Sequence, residues 1–226
     1  MPDEGELIEA GTKGIAAGLT ETFRELVQQF LGPLANEVGT GLGYVGTVLR
    51  LKLGLKMLAR ASQMLAEAGI EPRPVPPKLF LPILENASLE QDESLQERWA
   101  ALLANAALPG RQPAVSAAFA EILKELSPSE VRLLDRLYNA VCVQIAHRKL
   151  APNFWRGEVR SMGIREPGTS EDDAEAIVVM GNLERLKLVS FLEEYVSHTT
   201  SASITPFGFE FVFACRKPPA KGPPAS

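Results

Sequence analysis

The stretch that decides the fold is PPKLFLPILENASLEQDESLQERWAALLANAAL, residues 76–108. Its two leading prolines suit the start of a helix, because the first turn has no use for the N–H that proline lacks. Pro82 requires a helix in this part to begin near it or to kink at it. Ser88 and Gln91 have the spacing of a capping box, which predicts that a second helix starts just after Ser88.

This second helix is predicted to be amphipathic. Its first turn is acidic, which the helix dipole favours, and Pro109-Gly110 ends it. The apolar residues that recur at helical spacing are Leu89, Leu95, Trp99, Leu102, Leu103 and Ala106. Trp99 is therefore interpreted as an anchor of the core, with an anchor of a protein interface as the alternative.

Further helices are predicted on both sides of this stretch. Upstream, residues 5–31 read as an amphipathic helix and residues 34–68 as a long helix capped by Gly69. Four glycines in the first half of the long helix favour close helix packing over a phosphate-binding loop, since no strand precedes them. Downstream, helices are predicted at 114–125, at 128–148 behind a capping box of Ser127 and Glu130, and at 171–187.

The hydrophobic period then changes. Residues 188–192 and 201–205 predict two short strands, and residues 207–215 a last helix. The order of two helices, a two-stranded wing and a closing helix is typical of a winged-helix module. The periodicity is lost over residues 149–170, where one short helix or strand is expected.

The predicted fold class is therefore mainly α. The three parts are a helical domain at 1–110, a winged-helix-like domain with a small two-stranded β wing at 111–215, and a disordered Pro-rich tail at 216–226.

Composition and charge restrict the partners. The net charge of −5 over 226 residues does not favour nucleic acid or an anionic membrane. The reading helix of the winged-helix module, residues 171–187, is itself acidic, and this argues against contact with DNA phosphates. The sequence has neither the start of a signal peptide nor an apolar run of about 20 residues, so a cytoplasmic protein is expected.

The reactive side chains do not form a catalytic set. Cys142 and Cys215 are predicted to be buried free thiols. Neither His147 nor His198 has a second ligand at zinc spacing, so no metal and no cofactor are predicted. Glu85 lies among apolar residues and is expected to form a structural ion pair with Arg98 or Lys78, because no partner for catalysis accompanies it. No enzymatic activity is expected.

The central stretch also resembles a known family, the bacterial Abi-alpha family of abortive infection, a form of phage resistance. The similar residues within it are Pro76, Lys78, Pro82, Glu85-Asn86-Ala87, the run from Leu95 to Ala100 and the run from Leu102 to Ala106. The resemblance extends over roughly residues 30–215 through Ala68 to Pro72, Leu126-Ser127-Pro128, Asn182 to Leu186 and Thr205-Pro206-Phe207-Gly208. It implies a defence role and supplies no catalytic residues to carry over.

The hypothesis from sequence is thus a non-enzymatic phage-defence protein that works through a protein partner or self-association. The candidate interaction or core-anchor residues are Lys78, Glu85, Glu97, Arg98, Trp99 and Asn105. Two alternatives stay open. One is an effector at a membrane surface that uses the amphipathic and Gly-rich helices of residues 1–60, and the other is a winged-helix DNA-binding regulator.

Overall fold

The computed structural model describes residues 21–32, 48–109, 115–148, 164–165, 173–194 and 199–220, and in these ranges the chain is mainly helical, as predicted. The helices are α1 (residues 21–31), α2 (Val48–Glu67), α3 (Pro77–Ala87), α4 (Glu93–Ala106), α5 (Ala117–Leu123), α6 (Pro128–Arg148), α7 (Asp173–Arg185) and α8 (Pro206–Ala214). The strands are β1 (Ile164–Arg165), β2 (Val189–Glu194) and β3 (Thr199–Ile204). They form a small antiparallel sheet in the order β1-β3-β2.

The described residues fall into two compact units. Unit 1 lies within Met1–Lys124 together with Cys215–Ser226, and unit 2 is Glu125–Ala214. The chain thus leaves unit 1 before α6 and returns to it after α8. The predicted division into domains at residue 110 stays a prediction, as does the winged-helix assignment of unit 2.

The core of unit 1 forms where α2 packs against α4. Both helices place their apolar residues at a spacing of three and four, which produces one buried face on each. The fully buried large side chains include Met57, Leu58, Met64 and Leu65 of α2 and Trp99, Leu102 and Leu103 of α4. Gly69 ends α2 with a φ of 67°, and Ile70 N–H donates to the Leu65 carbonyl at 3.0 Å, so the predicted glycine cap is confirmed.

The start of α3 agrees with the prediction from the sequence, but the start of α4 differs from it. Pro77 opens α3, which runs through Pro82. The predicted capping box of Ser88 and Gln91 is wrong. Ser88 instead closes α3, where its hydroxyl donates to the Glu85 carbonyl at 2.7 Å.

Asp92 is the cap of α4, because its carboxylate accepts from the backbone N–H groups of Ser94 at 2.9 Å and Leu95 at 3.1 Å. Leu89 therefore lies in the turn before α4. Its predicted inward position is also wrong, since 49% of it is exposed.

Unit 2 begins with the predicted capping box. Glu130 Oε2 accepts from the Ser127 backbone N–H at 2.6 Å, and the Ser127 hydroxyl accepts from the Glu130 N–H at 3.4 Å. The second carboxylate oxygen of Glu130 accepts from Asn182 at 2.6 Å, which ties α6 to α7. The same residue thus caps one helix and positions the next.

The join between β3 and α8 explains the sequence Thr205-Pro206-Phe207-Gly208. The Thr205 hydroxyl donates to the Lys187 carbonyl at 2.7 Å and accepts from the Gly208 N–H at 2.9 Å. A Cβ on Gly208 would lie well inside contact distance of the Leu188 backbone oxygen. This position therefore requires glycine for close backbone approach and not for a positive φ.

Several predictions fall on residues outside the described ranges. These include most of the 5–31 helix, the Gly-rich first half of the 34–68 helix, His198 and most of 149–170, where the two residues of β1 are strand. Both cysteines are free thiols, with Cys215 buried and Cys142 half-buried. Arg216 and Lys217 of the predicted tail contact α4 and α2 as described below, and residues 221–226 lie outside the described part of the chain.

Candidate functional site

Two ion pairs join α2 to α4 along one edge of unit 1. Lys56 and Arg60 are one turn apart on α2, and Glu93 and Glu97 are one turn apart on α4. Lys56 Nζ lies 3.2 Å from Glu93 Oε1. Arg60 makes a two-pronged contact with Glu97, with Nη2 to Oε1 at 2.6 Å and Nε to Oε2 at 2.8 Å. The planar guanidinium fits a carboxylate in this way, so the second pair is the more rigid of the two.

The charged row continues towards the C-terminal segment. Arg60 Nη1 lies 3.8 Å from Glu67, which also accepts a hydrogen bond from Lys217. The hydrogen bond from Lys217 lowers the pKa of the Glu67 carboxyl below its ordinary value. The hydrogen bond with Glu97 raises the pKa of the Arg60 guanidinium above its already high value. Both shifts favour the charged forms of Glu67 and Arg60.

A groove of about 770 Å³ lies between the charged edges of α2 and α4. The residues that line it are Lys56, Met57, Ala59, Arg60, Gln63, Glu93, Ser94, Gln96 and Glu97. Two of them are buried, Met57 at 1% exposed and Gln96 at 4% exposed. The groove therefore has a small buried wall of mixed polarity and an exposed, charged rim.

Gln96 is held in one orientation. Its Nε2 donates to the carbonyl of Ala87, the last residue of α3, at 2.6 Å and to the carbonyl of Glu90, in the connection to α4, at 2.8 Å. These two bonds assign the nitrogen, so the other amide atom is the carbonyl oxygen. That oxygen is buried and accepts no hydrogen bond from the described residues. A buried polar atom without a partner is uncommon in a native protein.

Arg98 and Asn105 hold the chain as it returns from unit 2. Arg98 Nη1 donates to the Cys215 carbonyl at 3.3 Å, and Asn105 Nδ2 donates to the Arg216 carbonyl at 2.7 Å. Pro218 is buried as well. These two candidate residues therefore hold Cys215 and Arg216, which lie more than 100 positions further along the chain.

Trp99 follows Arg98 on α4, but its side chain points into the core. Only 1% of it is exposed, and its indole N–H has no hydrogen-bond partner among the described residues. Its placement agrees with a core anchor. Glu97 lines the groove, where it binds Arg60. The four candidate residues on α4 therefore lie in three different environments, which are the groove, the contact with the C-terminal segment and the core.

The remaining two candidates lie on the outside of α3. Lys78 and Glu85 are exposed, and the predicted ion pair of Glu85 with Arg98 or Lys78 is not formed among the described residues. They share one side of the helix with Leu81, which is 37% exposed, and the row continues to Leu89 in the following turn. We call these four residues the α3 face. The opposite side of α3 is buried through Phe80, Ile83, Leu84 and Ala87.

The sequence reasoning missed both the groove and the hold on the C-terminal segment. The available signal for the groove was the matching four-residue spacing of Lys56 with Arg60 and of Glu93 with Glu97. The sequence alone does not reveal that these residues pair, because the two basic and the two acidic residues lie on separate helices.

Neither a metal centre nor a membrane span is seen in the described ranges. No group of three or more His, Cys, Asp or Glu residues there could hold a metal ion. Among the same residues, none of the helices is both long and apolar enough to cross a membrane.

Comparison with known proteins identifies a family. The family model described as abortive infection alpha matches residues 54–215, which is well over half of the chain. The match includes the groove, the α3 face and all of unit 2. No curated protein and no solved structure matches the chain.

Proposed function

Because the chain belongs to the abortive infection alpha family, we propose that it is a non-enzymatic phage-defence protein that binds another protein through the α3 face. Membership of the family suggests abortive infection as the process. The observation that carries the proposal is the row of exposed leucines, Leu81 and Leu89, beside Lys78 and Glu85 on a helix whose other side is buried.

The composition of the α3 face supports binding to a protein. Interfaces commonly have an apolar centre and a polar rim. Leu81 and Leu89 provide apolar area, and Lys78 and Glu85 add one charge of each sign. Since neither of these two charges forms an ion pair with a described residue, both are available to opposite charges on a partner.

The charged row that runs from the groove to Lys217 supports a non-enzymatic role. A carboxyl that acts as a general acid or base near neutral pH needs a raised pKa. The Glu67 carboxyl has a lowered pKa, because Lys217 hydrogen-bonds its charged form. Three hydrogen bonds join Arg60 to Glu97. A pair held in this way is typical of a structural contact and not of a catalytic carboxylate.

Site-directed photocrosslinking in cells tests the proposal. A photoreactive phenylalanine analogue replaces Leu81, and the control carries it at Val178, which is 70% exposed in unit 2. We expect position 81 to form a covalent adduct with one defined protein, or with a second copy of this chain, after phage infection. Identical adducts from both positions, or none from position 81, would overturn the proposal.

We further propose that unit 2 is a winged-helix module used for packing against protein. Its elements α6, α7, the β2–β3 hairpin and α8 follow the order of such a module. The helix that would read DNA, α7, carries Asp173, Glu175 and Glu184 against Arg185. Because DNA binding depends on neutralising phosphates, this excess of negative charge disfavours it. Tight, salt-sensitive binding of phage DNA in an electrophoretic shift would contradict this assignment.

A further inference from the structure

We propose that the α3 face binds the same face of a second copy of this chain, so that two α3 helices pair in opposite directions about a two-fold axis. This inference rests on the function proposed for the α3 face and names its partner. It follows from the order of the two charges along α3, from the conflict of this order with the helix dipole and from the positions of the two exposed leucines.

The two charges of the α3 face lie at the unfavourable ends of their own helix. Lys78 is the second residue of α3, and Glu85 is the third from its end. The dipole of a helix favours acidic residues in the first turn and basic residues in the last turn, and α3 has neither. Both side chains are exposed, and neither forms an ion pair with a described residue. Within a single chain, this order of charges is therefore unfavourable for α3.

A second α3 that runs in the opposite direction makes the same order favourable. The midpoint between the two charges lies between Leu81 and Pro82. A two-fold axis there places each Lys78 opposite Glu85 of the second copy. Packed helices are about 8–10 Å apart, a gap that these two long side chains can bridge. Each charge then also lies at the end of the neighbouring helix whose dipole favours it. Parallel pairing would place like charges opposite each other, which disfavours it.

The apolar residues of the α3 face fit this arrangement. Leu81 is exposed beside the two-fold axis, between the two ion pairs. Leu89 lies four positions beyond Glu85, so it reaches the residues that precede α3 in the second copy, where Pro74 and Pro76 are exposed. An apolar centre with charged residues around it is common in protein interfaces. A face that complements itself in this way closes on two copies.

The length of α3 sets the expected strength of the dimer. The helix has 11 residues and is about 17 Å long. A contact along one helix of this length belongs to the small interfaces, below about 1,200 Å², that are typical of weak and reversible complexes. We therefore expect a monomer–dimer equilibrium that depends on the protein concentration.

Sedimentation velocity of the purified full chain over a range of concentrations tests the inference. The average mass should rise with concentration from 24.5 kDa towards twice that value. Lys78→Glu and Glu85→Lys each place like charges opposite each other, so each should raise the dissociation constant of the dimer about tenfold or more. Both substitutions suit the dipole of α3, so neither weakens the helix itself. The control is Lys52→Glu, at an exposed site on α2 outside the α3 face, which should leave the dissociation constant unchanged.

An equal mixture of the two variants tests the two-fold arrangement. In a mixed dimer the two acidic residues of one copy lie opposite the two lysines of the other. The mixture should therefore form dimers at concentrations where Lys78→Glu alone and Glu85→Lys alone are monomeric. A wild type that stays monomeric at every concentration, single variants that dimerise as the wild type does, or a mixture that stays monomeric would each rule out the inference.

Photocrosslinking from position 81 in cells separates this inference from the function on which it rests. An adduct with a different protein alone would keep the α3 face as a binding surface and reject the second copy as its partner. Absence of any adduct, even from a chain that dimerises after purification, would reject the function proposed for the α3 face.

Discussion

Replacing Trp99 by phenylalanine or by alanine separates a core role from an interface role. Trp99 is one of the largest fully buried side chains, and its indole N–H has no partner in the described part of the chain. Trp99→Ala removes the whole ring from a packed interior, and such changes cost about 3–5 kcal/mol.

The effect of Trp99→Phe is the sum of two opposing terms. The phenyl ring has two fewer carbons and lacks the indole nitrogen. At about 0.8 kcal/mol for each buried carbon group, the lost burial costs about 1.6 kcal/mol. Removing the buried indole N–H, which has no partner, stabilises the folded state by about 1–3 kcal/mol. We therefore expect the free energy of unfolding of unit 1 to change by less than about 1.5 kcal/mol.

Urea unfolding followed by far-ultraviolet circular dichroism measures both variants, and a phage challenge measures their protection. The expected result is a large loss of stability for Trp99→Ala alone, with the protection by Trp99→Phe unchanged. The reasoning is refuted if Trp99→Phe costs more than about 3 kcal/mol, the expected cost if a partnered donor were lost as well as ring volume. Loss of protection by a stable Trp99→Phe would instead place Trp99 in an interface.

Three further predictions concern single contacts. Asn105→Leu should cost about 1–3 kcal/mol, because the Arg216 carbonyl loses this donor, and hydrogen exchange should rise at residues 215–217 while α5 stays unchanged. Gly208→Ala should destabilise unit 2 by about 1–3 kcal/mol in thermal unfolding, whereas Gly181→Ala, with open space around it, should not. The Glu67 carboxyl has a lowered pKa in the folded state, so its contribution is present above its ordinary value of 4.5 and is lost as the pH falls through the folded value. Lys217→Met should raise the pKa of Glu67 in an NMR titration and reduce this acid sensitivity; an unchanged titration would contradict the contact.

Much of the fold could be predicted because its signals are local. The cap at Gly69, the capping box of Ser127 with Glu130 and the hairpin of β2 and β3 each depend on residues close together in the chain. The capping box at Ser88 was wrong for an instructive reason. Asp92 and Ser88 both suit a helix cap, and only the position where α3 ends shows that Ser88 belongs to α3.

The candidate site could be predicted only in part, because its contacts join distant residues. Burial of Trp99 follows from helical periodicity, but the contacts of Arg98 and Asn105 with residues 215 and 216 do not. Glu85 has apolar neighbours in the sequence, which suggested a paired, sheltered acid. On α3 those neighbours face different sides, and Glu85 shares the exposed side with Leu81.

The plating efficiency of a phage panel on cells that carry this gene tests the central claim most directly. The strains express the wild type, the double variant of Leu81→Ser with Leu89→Ser, or Val178→Ser as the exposed apolar control in unit 2. All three proteins should give equal circular dichroism spectra and equal amounts in cells. We predict that the wild type and Val178→Ser lower the plating efficiency of at least one phage and that the double variant does not. Full protection by the double variant would contradict a defence role that acts through the α3 face.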